Sequence, residues 1–347
     1  MTVAPPDAWP TAAAVRLALW LETEAMASIE WRAQLPRRGF GAAPLGNLYA
    51  PLRDADADDV LEVVCSPGAY IDTAPYYGHG LSERRIGDFL RAHPDRRPII
   101  STKVGRRLEP CGRPPDHGFV DPAPFRPVFD YSERGIRAAF LQSLARLGRS
   151  SVDLLLLHDI GRQTHGDDHA AVMAQAEREA WPAMRALKAE GSTGAIGVGV
   201  NECEVVLECL DRGFVPDAVL LAGRHTLLDA AAERCGLIER CRALGVVLIA
   251  AAPFNSGLLA GGDHFNYVAA PEPVLEARRR LAGLCAGFEV PLPAAALQFP
   301  LRNPAVACVL AGARSAAEVR QQAAWLAWPI PEELWRPLED ARSAFVA

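Results

Sequence analysis

The sequence predicts an α/β protein whose strands close into a (β/α)8 TIM barrel, and three observations support this fold class. From residue 38 onwards, eight short apolar or β-branched segments alternate with segments of helical periodicity. Strand–helix alternation favours parallel strands joined by right-handed crossovers. Eight such units in about 290 residues suit a closed barrel better than an open doubly wound sheet, which stays the alternative.

The predicted strands are short and rich in Val, Ile, Leu and Ala. The four leucines at 154–157 are typical of a strand covered on both faces, as in a parallel barrel. Between the strands, apolar residues recur three and four apart, for example at 136–147. We predict strands at residues 39–43, 69–73, 99–103, 152–158, 195–200, 218–222, 246–252 and 307–311.

Segments outside this rhythm define the domain organisation. Residues 1–36 are predicted to form an N-terminal extension, helical or disordered, and residues 37–347 to form the barrel. Two long loops, at 105–131 and 159–176, follow the third and fourth strands. We expect both on the C-terminal face of the barrel, where barrel enzymes build their substrate sites.

Composition argues against several classes of partner. The formal net charge is −6 and no basic stripe follows a predicted helix, so we expect no nucleic-acid partner. No apolar run reaches the ~18 residues that a membrane span needs, and we recognise no signal peptide. The eight cysteines lack CxxC spacing, which favours reduced thiols in a cytoplasmic protein. The expected partner is a small molecule.

Polar residues stand at the ends of three successive predicted strands. Asp72, Lys103 and His158 end strands two, three and four, and Tyr77 follows Asp72 by five residues. Because the strand ends of a barrel converge on one opening, we expect these four side chains to meet. Taken singly, Asp72 suits a helix cap, His158 suits a core position, and Tyr76 competes with Tyr77. Together they are hard to explain by packing.

This residue set predicts proton transfer without a metal. A buried Lys103 needs a carboxylate to stay charged, and Asp72 can supply it. We expect the ammonium group to lower the pKa of Tyr77 towards neutrality, so that Tyr77 exchanges a proton with a carbinol oxygen that His158 also binds. Such a site suits hydride transfer at the adjacent carbon. We interpret the His and Asp residues at 165–169 as a polar lid rather than a metal site.

Several of these residues lie in motifs that resemble the aldo-keto reductase family. Residues 72–78, DTAPYYG, resemble that family's D-T-A-x-x-Y-G signature, residues 101–103 resemble its lysine strand, and residues 153–158 resemble its histidine strand. The resemblance implies that Tyr77 is the general acid/base, that Lys103 and Asp72 tune it, and that His158 orients the substrate. Residues 39–49, 129–132 and 252–257 look like the branch of D-threo-aldose (L-fucose) and pyridoxal dehydrogenases.

The same resemblance implies an NAD(P) cofactor laid across the strand ends without a Rossmann motif. Asn201 matches the position that binds the nicotinamide carboxamide, while Val200, Ala222 and Ala251 depart from the family pattern around it. Either Phe254 or Arg224 is expected to compensate. The remaining implied nucleotide contacts are Ser256, Gly257 and Leu258 at the pyrophosphate and Gly312, Arg314, Ser315, Glu318 and Gln322 at the adenosine end.

The adenosine end favours NAD over NADP. A carboxylate at Glu318 would repel a 2′-phosphate and could accept a bond from a free hydroxyl, whereas Arg314 could still hold a phosphate. The expected reaction is oxidation of an aldose or pyridoxal hemiacetal to a lactone, with Tyr49 and Arg224 near the substrate. The alternatives are an NADPH-dependent reductase of assorted aldehydes and a non-catalytic, dinucleotide-binding regulatory barrel. A metal-dependent barrel hydrolase is more distant.

Overall fold

The computed structural model describes residue 31 and residues 33–343 of the chain. Its twelve strands are β1 Arg38–Gly41, β2 Tyr70–Asp72, β3 Ile99–Val104, β4 Arg106–Pro110, β5 Phe125–Phe129, β6 Val152–His158, β7 Thr193–Val200, β8 Ala218–Ala222, β9 Val247–Ala251, β10 His264–Phe265, β11 Val268–Ala269 and β12 Val306–Ala311. The α-helices are Asp54–Val64, Leu81–Ala92, Glu133–Leu147, Arg162–His165, His169–Gln175, Trp181–Ala189, Cys203–Asp211, Ala231–Arg234, Leu237–Ala243, Glu272–Ala286, Leu292–Gln298, Ala316–Leu326 and Glu332–Ser343.

Eight of the strands form a closed barrel in the order β1-β12-β9-β8-β7-β6-β3-β2, and every pair is parallel. Closure is visible at Phe40, which stands in register with Ile71 on one side and Ala311 on the other. The predicted (β/α)8 fold is therefore confirmed, and the open-sheet alternative is wrong. Each predicted strand lies within two residues of an observed one, because apolar runs bounded by turns define buried strands well.

Two apolar cores stabilise the barrel. The larger core lies between the strands and the surrounding helices. The smaller one fills the barrel interior with side chains such as Tyr70, Leu156 and Leu310, and Trp31 and Leu35 join it from the segment before β1. An interior packed in this way leaves room for a ligand only at the open, C-terminal end of the strands. The remainder of the predicted N-terminal extension lies outside the described residues, so its structure stays a prediction.

The two long connections follow β3 and β6 on the C-terminal face, but they contain regular structure that the sequence did not suggest. Residues 105–131 include an antiparallel hairpin of β4 and β5, in which the inward-facing Leu108 is buried. Residues 159–176 contain the short helices Arg162–His165 and His169–Gln175. A further small hairpin, β10–β11, follows β9. In the described part of the chain, no helix is long and apolar enough to cross a membrane.

Candidate active site

The predicted catalytic residues meet at the open end of the barrel. Asp72 is the last residue of β2, His158 is the last residue of β6, and Lys103 lies one residue before the end of β3. All three are buried. The Lys103 ammonium donates to Asp72 Oδ2 at 2.7 Å, to the Thr73 carbonyl at 2.8 Å and to the Tyr77 hydroxyl at 3.2 Å.

The neighbouring residues explain why Lys103 takes this position. Ser101, two residues earlier on β3, donates to the second carboxylate oxygen of Asp72 at 2.7 Å, so both oxygens are satisfied. Opposite Lys103, Gly199 on β7 leaves space for the aliphatic stem, since a Cβ atom there would lie 3.3 Å from Lys103 Cε. The ammonium is thus held between Asp72 and Tyr77 rather than left free to move.

Tyr77, not Tyr76, is the tyrosine beside Lys103. The Lys103 ammonium lies 4.7 Å from the centre of the Tyr77 ring. The Tyr76 ring instead stacks on the guanidinium of Arg106, 4.4 Å from its centre. The competition that the sequence left open is therefore resolved by geometry.

The expectation that Lys103 lowers the pKa of Tyr77 towards neutrality is wrong for the protein alone. Burial, followed by the nearby Asp72 and Asp159 carboxylates, holds the pKa of Tyr77 well above its ordinary value, and Arg106 opposes this only in part. The positive charge of Lys103 does not offset this burial, because Asp72, 2.7 Å away, already matches it. The tyrosine is therefore a neutral phenol at neutral pH.

His158 is neutral as well. Burial, then the positive charges of Arg106 and Lys103, lowers the pKa of His158 well below its ordinary value. Its ring lies edge-on to that of Tyr77, with 6.3 Å between centroids. A neutral imidazole and a neutral phenol can both donate a hydrogen bond to one oxygen atom placed between them.

A cavity of about 880 Å³ opens above these residues and extends across the strand ends. All four predicted catalytic residues line it, as do Val200, Ala222 and Ala251, the three positions that depart from the family pattern. Of the other predicted site residues, those that line the cavity are Tyr49, Asn201, Phe254, Ser256, Gly257, Gly312, Arg314 and Glu318. Those that do not are Arg224, Leu258, Ser315 and Gln322.

One wall of the cavity is a loop with unusual backbone geometry. Ala252, Asn255 and Ser256 all have positive φ, of 54°, 47° and 58°, and Gly257 follows with 93°. Left-handed conformations at non-glycine residues are strained and cluster at ligand sites. A Cβ atom on Gly257 would meet nothing within 4 Å, so the space beside it is open.

The end of the cavity where the sequence predicts the adenosine contacts contains a capped helix and two charged side chains. Ser315 caps helix Ala316–Leu326 by accepting from the Glu318 amide, and the Glu318 carboxylate accepts from the Arg314 amide at 2.8 Å. The Arg314 guanidinium donates to the carbonyls of Leu48 and Pro51, at 3.0 and 2.8 Å. The Gln322 side chain donates to the Gly312 carbonyl at 2.7 Å and so supports the cavity wall from behind.

Arg224 does not line the cavity, but its side chain contacts Asn201, which does. Its guanidinium donates to the Asn201 carbonyl at 2.7 Å, to Asp229 at 2.6 Å and to Asn266 at 3.1 Å. All three nitrogens thus have partners within the protein. Tyr49, by contrast, is 43% exposed, lines the cavity and stacks on His264 with 5.2 Å between centroids.

Arg106, Asp159 and Tyr267 are among the cavity residues that the sequence did not single out. Arg106 and Asp159 contact His158 from the first residue of β4 and from the position after β6. Tyr267 stands in the two-residue turn between β10 and β11, where it and Asn266 have positive φ of 69° and 48°, and its phenol lies near the Asn201 side chain. An Asn residue in a two-residue hairpin turn is a known sequence signal, but the strands here are only two residues long.

The histidines of the predicted polar lid bind protein groups. His165 Nε2 lies 2.9 Å from the Tyr131 hydroxyl, and His169 contacts the Ile160 carbonyl and the Glu208 carboxylate. Among the described residues, no group of three or more His, Cys, Asp or Glu side chains could hold a metal ion.

A closed parallel barrel with a Tyr–Lys–Asp–His group at its open end defines a class of oxidoreductases. The chain belongs to the aldo/keto reductase family, whose family model matches residues 38–342. Enzymes of this family use nicotinamide cofactors.

The chain is also similar to individual members of this family. The chain is 42% identical to a pyridoxal 4-dehydrogenase of Microbacterium luteolum over 317 residues, covering 86% of this chain and 92% of the relative. It is 38% identical to a D-threo-aldose 1-dehydrogenase of a Pseudomonas species over 322 residues, covering 89% and 94%. Among solved structures, the holo form of a Bacillus halodurans aldo-keto reductase superposes with a TM-score of 0.67 at 26% identity, covering 88% and 92%.

Proposed function

We propose that this protein is an NAD(P)-dependent dehydrogenase that oxidises the hemiacetal of an aldose of the L-fucose or D-threo type, or of pyridoxal, to the lactone. The observation that carries the proposal is the 3.2 Å contact between Lys103 Nζ and the Tyr77 hydroxyl inside an 880 Å³ cavity. The similarity to a pyridoxal 4-dehydrogenase and a D-threo-aldose 1-dehydrogenase supports this substrate class.

The catalytic roles follow from the contacts. In its deprotonated form, Tyr77 takes the proton of the hemiacetal hydroxyl as the carbon–hydrogen bond breaks, the hydride leaves and the carbonyl forms. Lys103, fixed by Asp72 at 2.7 Å, stabilises the negative charge that the Tyr77 oxygen carries before it takes this proton. His158 donates a hydrogen bond to the same substrate oxygen and so orients the carbon. A bound nicotinamide supplies the hydride acceptor.

The cavity residues fit a dinucleotide. Asn201 presents an amide near the catalytic group, which suits a carboxamide partner. The open space beside Gly257 and the left-handed backbone from Asn255 onwards admit a pyrophosphate close to main-chain amides. The amino end of helix Ala316–Leu326 favours an anion at the adenosine end.

We infer a preference for NAD. The Glu318 carboxylate lines the cavity at the helix amino end, where it would repel a 2′-phosphate. Arg314, the natural partner of such a phosphate, already donates to the carbonyls of Leu48 and Pro51. NADP remains the alternative cofactor, because the Arg314 guanidinium has no carboxylate among these partners.

A second function has a specific observation in its favour. The raised pKa of Tyr77 keeps it a proton donor at neutral pH, as the reduction of an aldehyde requires. An NADPH-dependent reductase of assorted aldehydes is therefore the second candidate. A non-catalytic, dinucleotide-binding regulatory barrel would not require the Tyr77–Lys103 contact, and we place it third.

Steady-state assays in both directions test these candidates. Purified protein is mixed with a panel of aldoses and pyridoxal plus NAD⁺ or NADP⁺, or with aldehydes plus NADH or NADPH, and the absorbance of reduced nicotinamide is followed. We expect the highest kcat/KM for a hemiacetal with NAD⁺. A higher kcat/KM for aldehydes with NADPH would favour the reductase, and no turnover with any pair would favour the regulatory barrel.

Two wider proposals concern the whole chain. We propose that residues 1–36 form an N-terminal extension that precedes the barrel domain, since the family match begins at residue 38, and that Trp31 and Leu35 attach its end to the barrel interior. We also propose a cytoplasmic location, because all eight cysteines lie in the described part of the chain and are free thiols there.

A further inference from the structure

Both ring nitrogens of His158 lie close to charged protein groups outside the catalytic set. Arg106 Nη1 lies 2.8 Å from His158 Nδ1, and Asp159 Oδ2 lies 3.3 Å from His158 Nε2. We propose that Arg106 is a positioning residue that fixes His158 as the neutral tautomer with its proton on Nε2. The inference rests on the proposed function in one respect, namely that the Nε2–H group donates a hydrogen bond to a substrate oxygen.

The tautomer follows from hydrogen-bond chemistry. A guanidinium can only donate hydrogen bonds and stays charged in proteins, so a nitrogen atom 2.8 Å from it must present a lone pair. His158 Nδ1 is therefore unprotonated, and the single proton of the neutral ring is on Nε2. Asp159 Oδ2 lies 3.3 Å from Nε2. A carboxylate this close favours a proton on that nitrogen.

Arg106 is built into the barrel mouth with little freedom to move. It is 6% exposed, and its second terminal nitrogen donates to Asp159 Oδ2 at 2.9 Å. Its guanidinium lies between two aromatic rings, 4.4 Å from the centre of Tyr76 and 4.9 Å from that of Phe129. Two hydrogen bonds and two ring contacts on one side chain limit the movement of the guanidinium.

The charges that surround His158 come from every element packed against it. Arg106 on β4 and Lys103 on β3 are positive and disfavour an imidazolium, while Asp159 favours one. The Tyr77 ring faces it edge-on, and the Tyr131 hydroxyl contacts only its backbone carbonyl, at 3.3 Å. Because the Arg106 guanidinium occupies the lone pair of Nδ1, the ring cannot take up a second proton at that nitrogen while this contact lasts.

Two consequences follow for the reaction. His158 acts as a hydrogen-bond donor throughout the working pH range and never as the proton donor itself. A substrate oxygen bound at Nε2 replaces or shares the contact with Asp159, whose backbone has a left-handed φ of 44°. The Asp159 carboxylate can then accept a hydrogen bond from a hydroxyl group of the substrate.

The test is the imidazole nitrogen spectrum of the full chain, which reads the tautomer without any assay of turnover. Long-range proton–nitrogen correlation spectra of ¹⁵N-labelled protein are recorded between about pH 5.5 and 8.5, where an ordinary histidine titrates. The His158 signals are those lost in a His158→Gln variant. We expect the Nε2–H pattern in the wild type and no titration over this range.

Variants separate the contribution of Arg106 from that of its neighbours. Arg106→Met should give a titrating His158 with mixed tautomers, whereas Arg106→Lys, which keeps a cationic donor, should restore the Nε2–H form. Asp159→Asn should leave the tautomer unchanged. Arg107→Met is the matched control, since Arg107 pairs with Asp130 and Glu109 on the same hairpin and does not line the cavity.

The kinetic counterpart is the pH dependence of kcat/KM for reduction, which Tyr77 leaves flat in the wild type. We expect kcat/KM for reduction by Arg106→Met to change with pH around its new His158 pKa, because a titrating ring of mixed tautomers replaces a fixed neutral donor. An Nδ1–H pattern or a titration near pH 6.5 in the wild type would overturn the proposal, even if Arg106→Met failed to fold. So would a folded Arg106→Met with the wild-type spectrum. If no substrate were turned over, the proposed function would fail while the spectra still decided the role of Arg106.

Discussion

The Tyr77 hydroxyl lies 3.2 Å from Lys103 Nζ, and this contact joins a residue in a turn after β2 to a residue inside β3. The same ammonium is 2.7 Å from Asp72, so the three groups share one positive and one negative charge. Lys103 stabilises the deprotonated form of this phenol more than the neutral form, because only the deprotonated form carries a negative charge. This arrangement is suited to transferring a proton to and from substrate rather than to storing a phenolate.

Removal of the ammonium should therefore abolish turnover without abolishing nucleotide binding. For Lys103→Met we expect kcat to fall by about 10²-fold or more, as is typical when a group that supports acid–base catalysis is lost. The measurement is kcat for oxidation together with the nucleotide Kd from fluorescence titration.

Lys188→Met is the matched control for this variant. Lys188 also forms an ion pair with a buried carboxylate, Asp217, at 2.9 Å, but it does not line the cavity. Both variants should lose stability, because each removes a cation that is paired with a buried carboxylate. Equal losses of kcat in the two variants would show that stability, not chemistry, explains the effect.

The raised pKa of Tyr77 gives a direction to the pH dependence of turnover. Oxidation needs the deprotonated phenol, whose fraction grows about tenfold per pH unit below the pKa, whereas reduction needs the neutral form. We expect kcat/KM for oxidation to rise from neutral pH into the alkaline range while kcat/KM for reduction stays flat. Initial rates in both directions measure this, and an oxidation rate that falls as pH rises would be inconsistent with Tyr77 as the base.

Stability should depend on pH through the buried histidines. The pKa of His158 lies well below 6.5 in the folded protein, and burial with the neighbouring His117 lowers the pKa of His79 to about 4. Below pH 6.5 the unfolded chain takes up protons at these positions and the folded chain does not. Stability is therefore fully present above pH 6.5 and falls as pH drops, by up to about 1.4 kcal/mol per pH unit for each such group.

Urea unfolding between pH 7.5 and 5.5 measures this loss directly. His158→Gln should show a shallower decrease in the free energy of unfolding over this interval than the wild type, because one of the neutral histidines is gone. An identical pH dependence in the two proteins would mean that His158 is protonated in the folded state.

Some of the site could be predicted from the sequence because it obeys a rule of the fold. Asp72, Lys103 and His158 lie at strand ends, and strand ends meet in a closed barrel whatever the loops do. Local patterns of apolar residues sufficed to place those strands within two residues.

Residues whose position depends on loops could not be predicted in this way. Arg106 reaches His158 only because β4 pairs with β5 from about twenty residues further along the chain. Arg224 follows β8 and was expected near the substrate, but the Asn201 carbonyl and two side chains bind its guanidinium outside the cavity. No local pattern encodes either outcome.

Tyr267 shows the same dependence on a loop and leads to a prediction about ligand binding. Its phenol lies near the Asn201 side chain, and its backbone amide donates to Ser256 Oγ at 3.0 Å. For Tyr267→Phe we expect KM for the nucleotide to rise about threefold to tenfold with kcat nearly unchanged, because the hydroxyl can hold the Asn201 amide towards the nucleotide and one net hydrogen bond is worth about 1 kcal/mol. Val268→Ala, at a 63% exposed position of the same hairpin, should leave both constants unchanged. A fall in kcat with constant KM would instead place Tyr267 in the chemical step.

The central claim is that Tyr77 moves the proton, and the comparison of Tyr77→Phe with Tyr76→Phe tests it most directly. The two residues are adjacent and both line the cavity, but only Tyr77 contacts Lys103. We expect Tyr77→Phe to lose kcat by about 10²-fold or more while it binds nucleotide as the wild type does, and Tyr76→Phe to keep kcat within about threefold. A Tyr77→Phe protein with wild-type kcat would contradict the account.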